Sequence, residues 1–247
     1  MPAPSRSLDG TVIAVTGAGG GIGGATARLA LEAGANVAVA DLRPGAIEAL
    51  QAEFGADRVA ISVGDIRDEA GADALVAAAV SSFGRLDSMV ANAGIGFYGG
   101  IFDYTAEQIR MMVDVNILGT VWSVRAAVRQ FRAQGDGGDI VIMGSVAGLL
   151  IGGGKEAVYS ATKGAQNNLG YALDRELRSE GIRTTVIAPA GVNTPFAAGD
   201  GRFGDLAPED GPFMDPGDVA GAVITTLQQP RRMRTELWTM WSLAENH

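Results

Sequence analysis

The chain has 247 residues, 47% of them hydrophobic, and its 28 acidic against 19 basic side chains leave a net charge of -9, which disfavours nucleic-acid backbones and anionic membrane surfaces as partners. It has no cysteine, and its one histidine is His247, the last residue; a disulfide, a thiolate nucleophile, a Cys- or His-ligated metal and a Ser-His-Asp triad are therefore not expected. The length suits one undivided α/β domain over 1–247. Residues Met1–Ser7 lack the apolar core of a signal peptide and no apolar run approaches a membrane span, so a soluble, cytoplasmic protein is expected.

Thr11–Val15 is an apolar, β-branched run that passes into the glycine cluster of Thr16–Gly23 and then into the helical pattern Ala25–Ala33. Strand, tight turn and helix start thus follow one another. The cluster reads in two registers: Gly19-x-Gly21-x-x-Gly24, the general dinucleotide fingerprint, and Thr16-Gly17-x-x-x-Gly21-x-Gly23, a longer-looped version. Backbone amides and the positive end of a helix converge there on a bound anion. A Cβ would hold a diphosphate away from the backbone, hence the glycines. The second strand, Asn36–Ala40, ends at Asp41, twenty positions after Gly21. A carboxylate there accepts hydrogen bonds from ribose hydroxyls and repels a 2′-phosphate, so NAD(H) is the expected cofactor, with NADP(H) kept open by Arg43. The plainer alternative is that Asp41 only caps the helix after Pro44.

Downstream come a helix at Pro44–Phe54, a strand at Arg58–Val63, a helix at Asp68–Phe83, a strand at Leu86–Ala91 and a helix at Ala106–Gln134. A strand at Asp139–Met143, a helix at Ala157–Glu180 and a strand at Ile182–Ile187 complete the alternation. Repeated βαβ predicts a Rossmann-type doubly wound parallel sheet of about seven strands with helices on both faces, a three-layer sandwich. Ligands are then expected beyond the carboxyl ends of the strands. The stretch 197–214, rich in Gly, Asp and Pro, breaks the rhythm and reads as part of a mobile substrate lobe at about 195–215. A helix over Pro216–Leu227 and a last strand at Arg234–Trp241 follow.

Small and polar residues collect at the predicted carboxyl ends: Val90–Gly94 after the fourth strand, Gly144–Gly148 after the fifth, Ala188–Pro195 after the sixth. They let a flat ring lie close to the sheet and orient it; taken one at a time, they are equally ordinary turn chemistry. Tyr159 and Lys163 lie four apart, on one helix face. An ammonium about 4 Å from a phenol oxygen, at an effective dielectric of about 20, favours phenolate by roughly 4 kcal/mol, on the order of three pKa units. Tyrosine can then act as the acid/base that histidine does not supply.

With these motifs in this order, the chain resembles the short-chain dehydrogenase/reductase family over residues 8–228. Thr16–Gly23 matches that family's T-G-x-x-x-G-x-G loop, Asn92–Gly94 its N-A-G segment, and Ser145, Tyr159 and Lys163 its catalytic set. The resemblance implies that Tyr159 exchanges a proton with the substrate oxygen while Ser145 hydrogen-bonds the same atom. It implies that Lys163 binds the nicotinamide ribose and acidifies the tyrosine, and that Asn116 holds a relaying water. Gly17, Gly19, Gly21, Ile22, Gly23, Asn92 and Gly94 are the expected dinucleotide contacts, with Asp65 and Ile66 at the adenine and Val192 and Thr194 at the carboxamide. A homotetramer, or a dimer, is implied as well. Three departures stand out: Ala190 where the family has glycine after proline, a Ser145-to-Tyr159 interval one residue longer than usual, and an ending in Gln229–Trp241 in place of V-D-G-G. Trp238 and Trp241 suit a subunit contact or core packing about equally.

The expected substrate border, Gly96, Phe97, Tyr98, Leu149, Leu150, Phe196, Phe203, Phe213 and Met214, has no charged clamp and points to a neutral hydrophobic or aryl ketone or secondary alcohol. Arg125, Arg129 and Arg132 raise an alternative, docking of an acidic carrier protein for 3-oxoacyl reduction, although such a stripe also answers the helix dipole. A rival of another class is a non-catalytic NAD-binding redox sensor, which would have no need of Ser145, Tyr159 and Lys163.

Overall fold

The computed structural model describes residues 5–149, 154–196 and 213–245. Seven strands, β1 (Val12–Thr16), β2 (Asn36–Asp41), β3 (Val59–Val63), β4 (Ser88–Ala91), β5 (Gly138–Met143), β6 (Ile182–Pro189) and β7 (Leu237–Met240), form one sheet in the order β3-β2-β1-β4-β5-β6-β7. Every neighbouring pair is parallel. The order reverses between β1 and β4, which opens a crevice at their carboxyl ends.

Alternation along each strand divides the core in two. Ile13, Val15, Val37, Val39, Val141 and Ile187 face α1 (Gly21–Glu32), α2 (Pro44–Phe54) and α7 (Pro216–Leu227) through Ala27, Ala30, Ile47, Leu50, Val219 and Val223. Val12, Ala14, Ala38, Met89, Ile140 and Ile142 face α3 (Glu69–Phe83), α5 (Thr120–Gln134) and α6 (Ala157–Leu177) through Leu75, Ala79, Ala127, Phe131 and Leu177. The strands are apolar on both sides because helices cover both.

β6 runs on to Pro189, and α6 stops at Leu177 with a 3₁₀ turn over Arg178–Glu180; three further departures from the sequence reading have visible reasons. The helix expected over Ala106–Gln134 is α4 (Ala106–Met112), then a π-helical turn over Val113–Gly119, then α5. That continuous run is long and apolar enough to cross a membrane by length and composition, so the expectation that no such run exists is corrected; half of its most apolar stretch is buried in the fold. β4 begins at Ser88 rather than Leu86, because Gln134 takes both backbone groups of Leu86 at 2.8 Å through its side-chain amide. β7 is cut to Leu237–Met240, its approach held by side chains: Thr185 Oγ1 donates to the carbonyl of Thr235 at 2.6 Å and Arg183 to that of Met233 at 2.7 Å.

α6 lies close on the sheet because glycines let it. A Cβ at Gly148 would stand 2.4 Å from the carbonyl carbon of Lys163, and one at Gly170 2.2 Å from a methyl of Val186. Any larger residue would lift the helix, and the side chains it carries, away from β5 and β6.

Candidate active site

The glycine turn joins β1 to α1. Gly17 and Gly21 have φ of 66° and 51°, the left-handed region that suits glycine. A Cβ at Gly23 would lie 2.2 Å from the carbonyl oxygen of Gly17 and 2.4 Å from Asn92 Nδ2, so Gly23 serves the close packing of turn and helix rather than the open cleft. Asn92 is the pin on the other side: its Nδ2 donates to the carbonyls of Thr16 and Gly17 at 2.9 and 3.2 Å. Thr16 Oγ1 accepts from the amides of Asn92 and Ala93, both at 3.0 Å. No side chain caps α1, its N-cap is Gly20, and its first turn carries no acid. Such an end suits the diphosphate of a dinucleotide, whose negative charge the helix amides would meet.

Gly17, Gly19, Gly21, Ile22, Asp41, Arg43, Asn92, Gly94, Ser145, Tyr159, Lys163, Val192, Thr194 and Phe196 line one cleft over the crevice, with Ala93, Met143, Gly144, Pro189, Ala190 and Pro195. Asp41 Oδ2 accepts from the Gly19 amide at 2.9 Å and Oδ1 from that of Arg43 at 3.1 Å. The carboxylate therefore braces the glycine turn from β2 and does not cap α2, whose N-cap is Arg43. Asp65 and Ile66 stand outside that lining. Asp65 accepts from Arg67 Nε at 2.8 Å and from its backbone amide at 2.9 Å, and the guanidinium bond holds its carboxyl below the ordinary range. Ile66 packs its Cγ2 beside Gly119 of the π-helical turn.

Ser145, Tyr159 and Lys163 are each 4% exposed. Ser145 Oγ accepts from the Ala147 amide at 3.2 Å and donates to the carbonyl of Pro189 at 3.3 Å. Lys163 Nζ lies 5.8 Å from the Tyr159 ring centroid and donates to the carbonyl of Met143 at 2.9 Å. Asn116 is fully buried on the π-helical turn. Its Oδ1 accepts from the Ile95 amide at 2.8 Å, and its Nδ2 donates to the Ile95 carbonyl and Thr162 Oγ1, both at 2.9 Å. The extra residue of the π turn is the local device that brings an asparagine inward here.

Aromatic rings wall the Tyr159 end. Tyr98 and Phe196 flank it with centroids at 5.6 and 5.9 Å, and Phe97, Ile95 and Tyr104 pack against the same cluster. Burial, and then Glu156 and Asp103, push the Tyr104 phenol above its ordinary pKa, and its hydroxyl donates to the carbonyl of Lys155 at 3.2 Å. Leu150 and Phe203, named above for the substrate border, and 197–212 of the expected lobe lie outside the described residues.

The far wall, Pro189–Asn193, is held by two distant segments. The Ala190 amide donates to the carbonyl of Met240 at 2.9 Å, that of Gly191 to Glu245 Oε2 at 3.3 Å, and that of Asn193 to the carbonyl of Met214 at 2.9 Å. Thr194 Cγ2 would be 3.2 Å from a Cβ on Gly21, so this wall closes over the glycine turn. Sequence reading missed Glu245 and Met240 as supports, since nothing local marks them.

Comparison with known proteins agrees with this geometry. A family model described as short chain dehydrogenase matches residues 11–202. An uncharacterised oxidoreductase of Staphylococcus haemolyticus is 35% identical over 223 residues, 90% of this chain and 93% of that protein. The crystal structure of 3-ketoacyl-(acyl-carrier-protein) reductase from Brucella melitensis complexed with NADH superposes with a TM-score of 0.84 at 30% identity, covering 94% of this chain and 97% of that one. Serine dehydrogenase complexed with NADP+ gives 0.88 at 26% identity, covering 96% and 97%. A glycine-lined, anion-ready turn at the crevice of a parallel sheet, and the extent of these matches, lead to one conclusion: the chain belongs to the short-chain dehydrogenase family of oxidoreductases, which act on CH–OH groups with a nicotinamide dinucleotide.

Proposed function

We propose that this enzyme interconverts a neutral, hydrophobic secondary alcohol and its ketone, that it prefers NAD(H), and that Tyr159 is its acid/base. The observation that carries the reading is the convergence of Ser145, Tyr159 and Lys163 in the cleft that the glycine turn opens, beside an aromatic wall. Bound against Gly17–Ile22, the dinucleotide supplies the hydride acceptor or donor.

The chain's own groups place and protonate. In reduction, Tyr159 Oη gives its proton to the carbonyl oxygen while Ser145 Oγ hydrogen-bonds the same atom, offsetting the charge that develops there. Oxidation runs the transfer backwards. The Lys163 ammonium beside the ring favours the phenolate after the proton leaves. Asn116, tied to Ile95 and Thr162, keeps α6 in register with the loop after β4. Thr194 and Val192 are the residues suited to the carboxamide end, and Asp41 to the adenosine ribose. Tyr98, Phe97 and Phe196 favour a ring or long apolar group, and the low exposure of Tyr159 limits the access of competing water.

Reduction of 3-oxoacyl groups is the second reading, favoured by likeness to the Brucella reductase. Against it, Arg129 is paired with Asp73 at 3.0 Å, Arg132 with Glu180 at 2.7 Å, and Arg125 sits 3.5 Å from Glu69 and stacks on Trp122; an acidic carrier would have to displace those partners. The test is a panel of aryl and cyclic ketones, their alcohols, sugars, 2-oxoacids and 3-oxoacyl thioesters, followed at 340 nm with each nicotinamide cofactor. Preference for sugars or 2-oxoacids overturns the substrate class, and preference for the thioesters selects the second reading. Tyr159→Phe is expected to lower kcat about 10²–10⁴-fold with the cofactor dissociation constant retained. Turnover at the native rate would remove Tyr159 from its role, whereas a native protein that binds the cofactor yet turns over nothing in the panel would favour the sensor reading.

A further inference from the structure

α6 carries three polar side chains at successive intervals of four: Tyr159, Lys163 and Asn167. The first two belong to the proposed chemistry; Asn167 has no part in it so far. It is 2% exposed, and its Nδ2 donates to the carbonyl oxygen of Ser145 at 3.1 Å. Lys163 Nζ donates to the carbonyl of Met143. The two peptide carbonyls on either side of Gly144 are therefore both held by α6.

Gly144 makes that hold possible. A Cβ there would lie 2.1 Å from Asn167 Oδ1 and 2.9 Å from Val186 Cγ1, so the amide lies directly on the Gly144 backbone and only glycine leaves room for it. The hydroxyl of Ser145 is by contrast loosely tied, with contacts of 3.2 and 3.3 Å, long for a hydroxyl. Its backbone is the firmer anchor: the carbonyl accepts from Asn167 on α6 and from the Gly148 amide at 3.0 Å. Asn167 Oδ1 is buried with no hydrogen-bond partner among the described residues, a cost that a leucine of similar shape would not carry. What the amide supplies in return is the bond to Ser145.

We propose that Asn167 is a positioning residue: with Gly144 as its seat, it locks the end of β5 to the helix that bears Tyr159, so that Ser145 Oγ and Tyr159 Oη meet the same substrate oxygen. The proposal rests on the role given to Ser145 above. Misplacing a reacting group by a fraction of an ångström lowers turnover without touching cofactor affinity, and that separation is what a test reads.

The experiment measures kcat with the best substrate of the panel, and the cofactor dissociation constant by fluorescence titration, for Asn167→Leu, Ser145→Ala and the double variant. Asn167→Leu is expected to hold or raise Tm, to lower kcat about tenfold, and to leave the dissociation constant within about twofold. In the Ser145→Ala background the same substitution should cost nothing further, since no hydroxyl is left to misplace. A full kcat in Asn167→Leu, or an equal loss in both backgrounds, overturns the proposal. Should leucine fail to fold, Asn167→Ala gives the same comparison, since it too removes the donor to Ser145. Native turnover in Ser145→Ala alone would instead remove the role of Ser145, and the lock with it, so the two failures are told apart by the single variant.

Discussion

One carboxylate, Asp41, braces the glycine turn, and in the function proposed above it is also the residue that would set cofactor choice. Its Oδ2 is held by the Gly19 amide and its Oδ1 by that of Arg43, and on the NAD(H) preference proposed above its charge would repel a 2′-phosphate. Asp41→Asn keeps an acceptor for Gly19 and removes the charge, with the Arg43 guanidinium already in the cleft lining. The expected outcome is a rise of about tenfold in the ratio of kcat/KM for NADP+ over NAD+, the size of one like-charge contact of roughly 1–2 kcal/mol at partial exposure; steady-state kinetics with both cofactors checks it. Residues like these were legible because each has a rigid offset from a local landmark: Asp41 ends the second strand and Lys163 is one helical turn from Tyr159. Asn167 is at the next turn of the same face, yet an asparagine in a helix carries no signature until its partner, Ser145, is seen beside it. Arg67 was likewise silent, although it engages both oxygens of Asp65.

The strand-turn-helix unit of β1, the glycine loop and α1 works as a single part. A methyl at Gly23 would meet Gly17 O at 2.2 Å and Asn92 Nδ2 at 2.4 Å, which would push the helix end off the turn. Gly23→Ala is expected to cost about 1–3 kcal/mol of stability and to weaken dinucleotide binding more than tenfold, read by denaturation and by fluorescence titration. Gly20→Ala, with nothing within 4 Å of its added carbon, is the control and should fold as the native chain does. The existence and type of nearly all elements could be read from their periods. The π turn at Val113–Gly119 could not, because one extra residue in a helix barely disturbs an apolar stripe while it rotates Asn116 inward. The start of β4 was also hidden, since Gln134, 48 positions along the chain from Leu86, replaces the strand neighbour.

Across the whole molecule, the end of the sheet opposite the cleft is stapled by charge. Asp139, at the start of β5 and 3% exposed, accepts from Arg6 at 2.8 Å, Arg183 at 2.6 Å and Arg231 at 2.8 Å, joining the N-terminal segment, β6 and the approach to β7. Asp139→Ala leaves these guanidinium groups facing one another and is expected to cost about 3–5 kcal/mol in urea denaturation. Glu53→Ala, which breaks the exposed pair with Arg28, should leave the midpoint unchanged. Strand order along the chain, the two-sided apolar character of the sheet and the anion-ready turn follow from short-range pattern, because burial on both faces and close backbone approach select residue types directly. Which carboxylate gathers which arginines, how Met240 and Glu245 reach the wall at Pro189–Asn193, and that Asn167 meets the Ser145 carbonyl were decided only by the tertiary structure. Those are contacts between residues dozens of positions apart, and their energies depend on distances that no local spacing encodes.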